Sequence, residues 1–381
     1  MTASAHSVFT HLGRLPVAEF MRRYWQRRPL LIRNALAGFA SPVTLAELFA
    51  LARREGVESR LVTSFGGRWR LQHGPLERLP AARRDWTVLV QNVEAHLPAA
   101  AALLARFRFI ADARLDDLMV SYAVAGGGVG PHVDSYDVFL IQAQGRRRWR
   151  ISRQRNLDEQ PGLPLKVLAD FRPTQEWVLA PGDMLYLPPQ VAHEGTAVDG
   201  DCITCSVGFR TPALAQIAEH WFDALSARTA QAAPWRDPGL RPTRQPARLP
   251  PGIVQWLDRE LHRLQPRRAD AARALLAALS LPKQDVCFEP RRRTRDLAAR
   301  LRRDGVRLDP RTRLLYLERR FGINGEVVEP PRSARLVLRA LADGRALDRA
   351  ACTALPSAAE DLLLDWLHAG WLHLHPTRGK R

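Results

Sequence analysis

The sequence predicts an α+β chain with an antiparallel β core, and three observations carry that prediction. Short strand-like runs follow one another between Asp117 and Phe209, joined by Gly and Pro turns with no helix between them, which is the pattern of a sandwich or barrel. At Pro212 the hydrophobic period changes from two to about 3.6. From Arg291 onward helices alternate with short strands around an Asn324-Gly325 turn, a winged-helix order. At 381 residues the chain is longer than one core ordinarily supports. Three segments are therefore expected, 1–211, 212–290 and 291–381.

The opening segment reads as helix and turn. Val17 to Trp25 carries apolar residues at helical spacing, and Arg28-Pro29-Leu30-Leu31-Ile32 reads as a short strand entered through a proline. Thr44, with Glu47 three residues on, predicts a capped helix through Ala52. Arg60 to Val93 alternates short strands with turns, and an Ala/Leu helix is expected near His96 to Leu104. The core strands are expected at Asp117–Val124, Tyr136–Gln142, Arg146–Ser152, Glu176–Leu179, Met184–Leu187 and Cys202–Phe209. Beyond Pro212, Leu214, Ile217, Ala218, Trp221 and Leu225 form one helical stripe, and Ile253, Trp256, Leu257, Leu261 and Leu264 form another. A helix pair of that size needs a surface to pack on, and a second copy of the chain is an economical one, so a homodimer is expected. The C-terminal helices are expected at Thr294–Arg303, Ser333–Leu341 and Ala358–Leu367, with strands at Leu314–Arg319 and Trp371–Leu374.

Composition excludes several classes. No run of eighteen apolar residues and no basic-apolar leader is present, so neither a membrane partner nor secretion is expected, and the cytoplasm is the predicted compartment. The net charge of +18 invites a nucleic-acid reading. However, only three of the 57 basic residues are lysines, and the abundance of Arg, Ala, Pro and Gly fits a GC-rich coding bias, so at most a weak RNA contact is expected. Cys202 and Cys205 have metal-knuckle spacing, but they lie in an apolar strand-like run with no second pair and read as packing.

The chemistry concentrates in two short stretches. In Gly130-Pro131-His132-Val133-Asp134 the histidine and aspartate are two apart, so an extended chain points both to one face. Sixty-one residues later His193 follows a strand and the Pro188-Pro189 turn. Two histidines and one carboxylate make the facial set that holds non-heme Fe(II) with open positions. In Arg146-Arg147-Arg148-Trp149-Arg150-Ile151 alternation singles out one cation: Arg147 shares the parity of Trp149 and Ile151, so it turns inward and needs an anion there. A dicarboxylate cosubstrate meets that need, and a structural carboxylate of the protein is the alternative.

These motifs, with Gly126-Gly-Gly-Val-Gly before His132, Tyr136-Asp-Val-Phe after it, Pro181-Gly-Asp-Met-Leu-Tyr-Leu-Pro-Pro, His193-Glu-Gly and Ser206-Val-Gly-Phe-Arg, resemble the JmjC-type bacterial ribosomal oxygenases, and in particular the ribosomal protein uL16 arginine 3-hydroxylases. The resemblance is dense from Arg60 to Arg210 and follows the element order over nearly the whole chain. It implies a double-stranded β-helix core of the JmjC/cupin jelly-roll kind, a helical dimerisation region and a C-terminal winged helix. It also implies that His132, Asp134 and His193 hold Fe(II) and that Arg147 holds 2-oxoglutarate, with O2 as the other cosubstrate and uL16 (L16) as the protein partner. Two positions depart from the family pattern. Thr204 stands where an asparagine is expected, and Ala123 replaces a cosubstrate-binding serine, leaving Ser121 as the hydroxyl on that face of the strand.

Asp117, Met119, Ser121 and Ala123 share one parity, and since the resemblance puts Ala123 at the cosubstrate, that face is expected to line the pocket mouth. Asp117 suits a substrate guanidinium and Tyr136 a wall of the same channel, with Met119 beside them; the alternative for Asp117 is a turn cap with Arg114. Histidyl hydroxylation and demethylation use the same iron centre, and a non-catalytic winged-helix nucleic-acid-binding regulator is the reading outside enzymes, drawn from ten arginines between Arg291 and Arg313. His373 and His375 read as solvated.

Overall fold

The computed structural model describes residues 7–375 apart from 67, 230–233, 237, 239–240, 243, 246, 264–266, 284–285 and 293. Leu264 and part of the Pro-rich stretch 233–251 therefore lie outside the described residues. The chain forms two compact units, Met1–Thr211 and Pro212–Arg381.

The first unit opens with a small hairpin, β1 (His11–Leu12) and β2 (Leu15–Pro16), then α1 (Val17–Arg23), β3 (Leu30–Ile32) and α2 (Leu45–Ala52). Thr44 caps α2 as expected: its hydroxyl accepts from the Glu47 amide at 3.2 Å and the Glu47 carboxylate accepts from the Thr44 amide at 2.9 Å, a reciprocal box that contributes about 1 kcal/mol. After β4 (Ser59–Phe65), β5 (Arg68–His73) and β6 (Trp86–Val90), the expected Ala/Leu helix is α3 (Pro98–Ala105). The core then runs β7 (Leu115–Ala123), β8 (Val138–Gln144), β9 (Arg147–Ser152), β10 (Gln175–Leu179), β11 (Met184–Leu187), β12 (Ala192–Ala197) and β13 (Cys202–Phe209).

These strands make an eight-stranded antiparallel sheet in the order β3-β11-β8-β13-β7-β6-β4-β5 and a three-stranded one in the order β10-β9-β12. The two faces of the large sheet differ. Val88, Val90, Leu118, Val120, Tyr122, Phe139, Ile141, Cys205 and Val207 belong to one buried cluster with the residues of the N-terminal helices. The alternate residues of the same strands turn to the other, inner face, where Leu140 and Leu185 pack with Trp149 and Ile151 of the small sheet. Period-two alternation thus separates a covered outer face from a barrel interior. Cys202 and Cys205 are buried free thiols on β13, and burial pushes the Cys205 thiol up to about 12; this pair is packing.

The second unit carries α4 (Leu214–Thr229), α5 (Pro251–Arg263) and α6 (Arg268–Ser280). They are followed by α7 (Leu297–Asp304), β14 (Val306–Leu308), β15 (Leu314–Leu317), β16 (Arg320–Ile323), β17 (Glu326–Val328), α8 (Arg332–Gly344), β18 (Ala346–Leu347), α9 (Arg349–Thr353), α10 (Ser357–His368) and β19 (Leu372–Leu374). The Asn324-Gly325 turn joins β16 to β17, with φ 47° and 91° at its two central residues, the left-handed pair that a tight hairpin requires. Helix α6 packs on β15, β16 and β17, so packing within this unit crosses residue 291. Leu363, Trp366 and Leu367 of α10 are buried in its core. Two sequence readings are corrected. His373 is half-buried and paired: its Nε2 lies 2.7 Å from Asp309 Oδ2, because β19 pairs with β14 and brings the ring beside the buried carboxylate. Arg114 does not pair with Asp117; its Nη2 lies 3.2 Å from Asp137. Among the described residues no helix is long and apolar enough to cross a membrane.

Candidate metal centre

The sequence places His132 and Asp134 after the glycine-rich run, and the fold brings His193 to them. A single antiparallel bridge joins His132 to His193, each amide donating to the other's carbonyl at 2.9 Å, while the Gln190 amide donates to Asp134 O at 2.8 Å. One ligand atom from each of His132, Asp134 and His193 lies within 4.8 Å of the others. His193 follows the Pro188-Pro189 turn as expected, and it sits on a further strand that the sequence did not announce, β12, paired with Ile151 of β9.

The backbone sets both rings. His132 Nδ1 is 2.9 Å from Gly130 O, and His193 Nδ1 is 2.9 Å from Val191 O. An N–H at Nδ1 satisfies each carbonyl and leaves the Nε2 lone pair for an ion. His193 Nε2 faces Asp134 Oδ2 at 3.6 Å. Burial, helped by the neighbouring His132 and opposed by Asp134, pushes the His193 imidazolium down to about 4, so at neutral pH the ring is uncharged, the form that binds metal. The donor set, two imidazoles and a carboxylate converging on one point, fits a divalent transition metal with open positions.

Glycines make room around this point. A Cβ at Gly195 would stand 2.7 Å from the Trp149 ring, and one at Gly128 would stand 2.5 Å from Gly195 O. The Trp149 ring in turn lies beside His193, with centroids 6.0 Å apart.

Arg147 lies further along the same pair of strands, opposite Ala197 where Ile151 is opposite His193. It is 5% exposed, and its Nε and Nη2 have no hydrogen-bond partner. Its neighbours on the other parity are solvated and paired: Arg146 with Asp199 at 2.7 Å, Arg148 with Glu176 at 3.2 Å, and Arg150 with Glu194. Strand parity therefore separates the inward arginine from the outward ones. Four residues of extended chain span about 13 Å, which a long side chain reaching back and a five-carbon dicarboxylate fill together. An inward guanidinium with unsatisfied donors fits such an anion.

The other sequence candidates share the inner face. Ser121 of β7 pairs with Thr204 of β13, which pairs with Gln142 of β8. The Thr204 hydroxyl donates to Gln142 Oε1 at 3.1 Å, and both residues are buried. Met119 pairs with Ser206. Asp117, 6% exposed, accepts from the Asn92 amide at 3.2 Å and, with the Gln91 side-chain amide suitably turned, from Gln91 at 2.9 Å, while Gln91 in turn accepts from Arg60 at 3.0 Å. Asp117 and Tyr136 meet across Gly208, where a Cβ would lie 3.3 Å from Asp117 Oδ1 and 3.9 Å from the Tyr136 ring. Tyr136 is 39% exposed as a residue, but desolvation around its hydroxyl, with the charges of Asp134 and Asp117, raises its pKa above the ordinary phenol value. Sequence reasoning missed Arg60, Gln91 and Thr87 on this face; Arg60 and Thr87 are noticeable only through buried atoms that lack partners.

Comparison with known proteins places this architecture. Residues 102–217 match the JmjC domain model and residues 261–373 the ROXA-like winged helix model. The ribosomal protein uL16 3-hydroxylase of Escherichia coli (strain K12) is 38% identical over 235 residues, which cover 61% of this chain and 63% of that protein. A probable ribosomal oxygenase of Haemophilus influenzae is 33% identical over 391 residues, covering 92% of this chain and 94% of the relative. The structure of the Escherichia coli ribosomal oxygenase YcfD in complex with cobalt and 2-oxoglutarate superposes with a TM-score of 0.80 at 30% identity, over 96% of this chain and 99% of that one. A JmjC core, a ROXA-like winged helix and likeness along nearly the full length agree: the chain belongs to the JmjC-domain ribosomal oxygenases.

Proposed function

We propose that this chain is an Fe(II)- and 2-oxoglutarate-dependent hydroxylase that 3-hydroxylates an arginine of ribosomal protein uL16 in the cytoplasm. The observation that carries the reading is one interior holding both a His132, Asp134, His193 cluster and a buried Arg147 with partnerless donors. Likeness to a uL16 3-hydroxylase and to a relative crystallised with a metal and 2-oxoglutarate supports the substrate and the cosubstrate.

In this reading His132, Asp134 and His193 are the iron ligands. Fe(II), with 2-oxoglutarate and O2, supplies the oxidising power that puts one oxygen atom on an unactivated carbon and yields succinate and carbon dioxide. The protein's work is placement. Arg147 binds the distal carboxylate of the cosubstrate, and Thr204 and Ser121 line its flank. Asp117 receives the substrate guanidinium, Tyr136 walls the channel, and Met119 borders the aliphatic arm. The packed interior around Trp149, Leu140 and Leu185 keeps water away. Helices α4 and α5 serve as a dimerisation surface ahead of the winged helix: Val254, Leu257 and Leu261 of α5 and Phe222 of α4 are all exposed, an apolar surface that a second copy can cover. Contact with RNA is weak, since Arg302, Arg303 and Arg311 are already engaged by Glu360, Asp304 and Asp309.

The test is tryptic mass spectrometry of uL16 after incubation with the enzyme, Fe(II) and 2-oxoglutarate. A single added oxygen on one arginine is the expected result. Oxygen on a histidine, or no modification of any ribosomal protein, would overturn the substrate assignment.

A further inference from the structure

Thr87 sits on β6 with a buried hydroxyl that none of the described residues satisfies. The residue is 1% exposed, and its Oγ1 has no hydrogen-bond partner. A buried threonine in a sheet usually finds a carbonyl, and a buried polar atom without a partner calls for an explanation.

Position supplies that explanation. Thr87 pairs with Ala123 of β7, which pairs with Cys202 of β13, so all three side chains share the inner face. Ala123 and Cys202 pack with Ala197 of β12, and Ala197 is the residue directly opposite Arg147. The backbone stitches the same corner: Val124 donates to Trp86 O at 3.3 Å, Gly126 to Ala197 O at 2.9 Å, and Ala197 to Gly127 O at 2.9 Å. Two unsatisfied donors, the Arg147 guanidinium and the Thr87 hydroxyl, thus flank one corner floored by the small side chains of Ala123 and Ala197. Ala123 itself offers no polar atom there.

We infer that Thr87 is a cosubstrate-binding residue whose hydroxyl donates to the distal carboxylate held by Arg147. The inference rests on the 2-oxoglutarate reading of the Arg147 site and adds a second donor to it. A guanidinium alone binds any carboxylate, whereas a guanidinium from β9 of the small sheet and a hydroxyl from β6 of the large one fix the carboxylate plane and the length of acid that fits. The hydroxyl is also the only difference between Thr87 and an isosteric valine, which makes the claim separable from packing.

The experiment titrates 2-oxoglutarate, and separately pyruvate, which lacks the distal carboxylate, into the Fe(II)-loaded full-length protein with oxygen excluded. Thr87→Val, Thr87→Ser and Arg147→Gln are compared with the unaltered protein by calorimetry. Thr87→Val is expected to weaken 2-oxoglutarate about tenfold, and Thr87→Ser to stay within about twofold. Pyruvate is expected to bind the unaltered protein and Thr87→Val equally. Without cosubstrate, Thr87→Val is expected to melt no lower than the unaltered protein, because it removes an unsatisfied buried hydroxyl, and to gain less Tm from added 2-oxoglutarate. If Arg147→Gln weakens 2-oxoglutarate and Thr87→Val does not, the inference is overturned and the cosubstrate site stands. If neither does, the cosubstrate site itself is wrong. Equal weakening of pyruvate, or a lower Tm without cosubstrate, would make Thr87 structural and overturn the inference.

Discussion

The barrel interior and the Asp309 cluster of the C-terminal unit treat buried polar groups in opposite ways. Among the described residues, buried side-chain atoms without partners cluster on Arg60, Thr87, Arg147 and Trp149, all inner-face residues; Trp221 and His368 are the others. In the C-terminal unit Asp309, 3% exposed, is surrounded by donors: Arg311 Nε at 2.8 Å, the Arg311 amide at 2.9 Å and His373 at 2.7 Å. Burial opposes ionisation of Asp309, but those hydrogen bonds outweigh it and hold the carboxyl below the usual range. A saturated cluster belongs to the fold. An unsaturated one, at the same depth, waits for a ligand.

The largest effect that would break this contrast lies at the metal. His132→Ala or Asp134→Ala is expected to abolish substrate-dependent succinate formation while circular dichroism stays unchanged, since the ligand atoms serve an ion rather than the core. Full turnover by both variants at stoichiometric iron would end the assignment. The saturated side is tested by Asp309→Asn, which is expected to cost the C-terminal unit about 3 kcal/mol or more and to leave 2-oxoglutarate affinity alone; the checks are denaturant unfolding and calorimetry. Because the folded-state pKa of Asp309 is depressed, its contribution is full above the unfolded value of about 3.9 and is lost as pH falls from there through the folded value. Asp309→Asn should therefore flatten the acid limb of the stability profile. An unchanged limb would show that the cluster is not what holds the unit in acid.

Smaller effects sharpen the division of labour. Sedimentation equilibrium at tens of micromolar protein is expected to show a dimer, and a 42.9 kDa species would remove the assembly role of the α4–α5 faces. DNA and RNA are expected to bind weakly and without sequence preference at 150 mM salt, with affinity falling steeply as salt rises. A nanomolar, sequence-selective complex would favour the regulator reading for the C-terminal unit.

How much of this was legible in sequence depended on alternation. Arg147 was singled out among four arginines because Trp149 and Ile151 mark the inward parity of β9, and the structure buries it. The HxD pair declared itself by spacing. The strand β12 did not: Ala192 to Ala197 carries His193, Glu194 and Gly195 where an apolar alternation would announce a strand, and Gly195 is there to clear the Trp149 ring. Thr87 was hidden for the converse reason, since every residue of β6 is buried on both faces and no period distinguishes them. His373 was misread because its partner Asp309 is distant in sequence and joined to it only by strand pairing.

The central claim is that the unsatisfied interior is a cosubstrate site, and binding tests it most directly. Calorimetric titration of 2-oxoglutarate into Fe(II)-loaded protein without oxygen should give one saturable site per chain. Arg147→Ala should weaken it at least about tenfold, the expected loss for a charge-assisted contact, while Arg148→Ala, exposed and paired with Glu176, should not. Equal affinity in unaltered and Arg147→Ala protein, or a loss that follows Arg148 instead, would contradict the account.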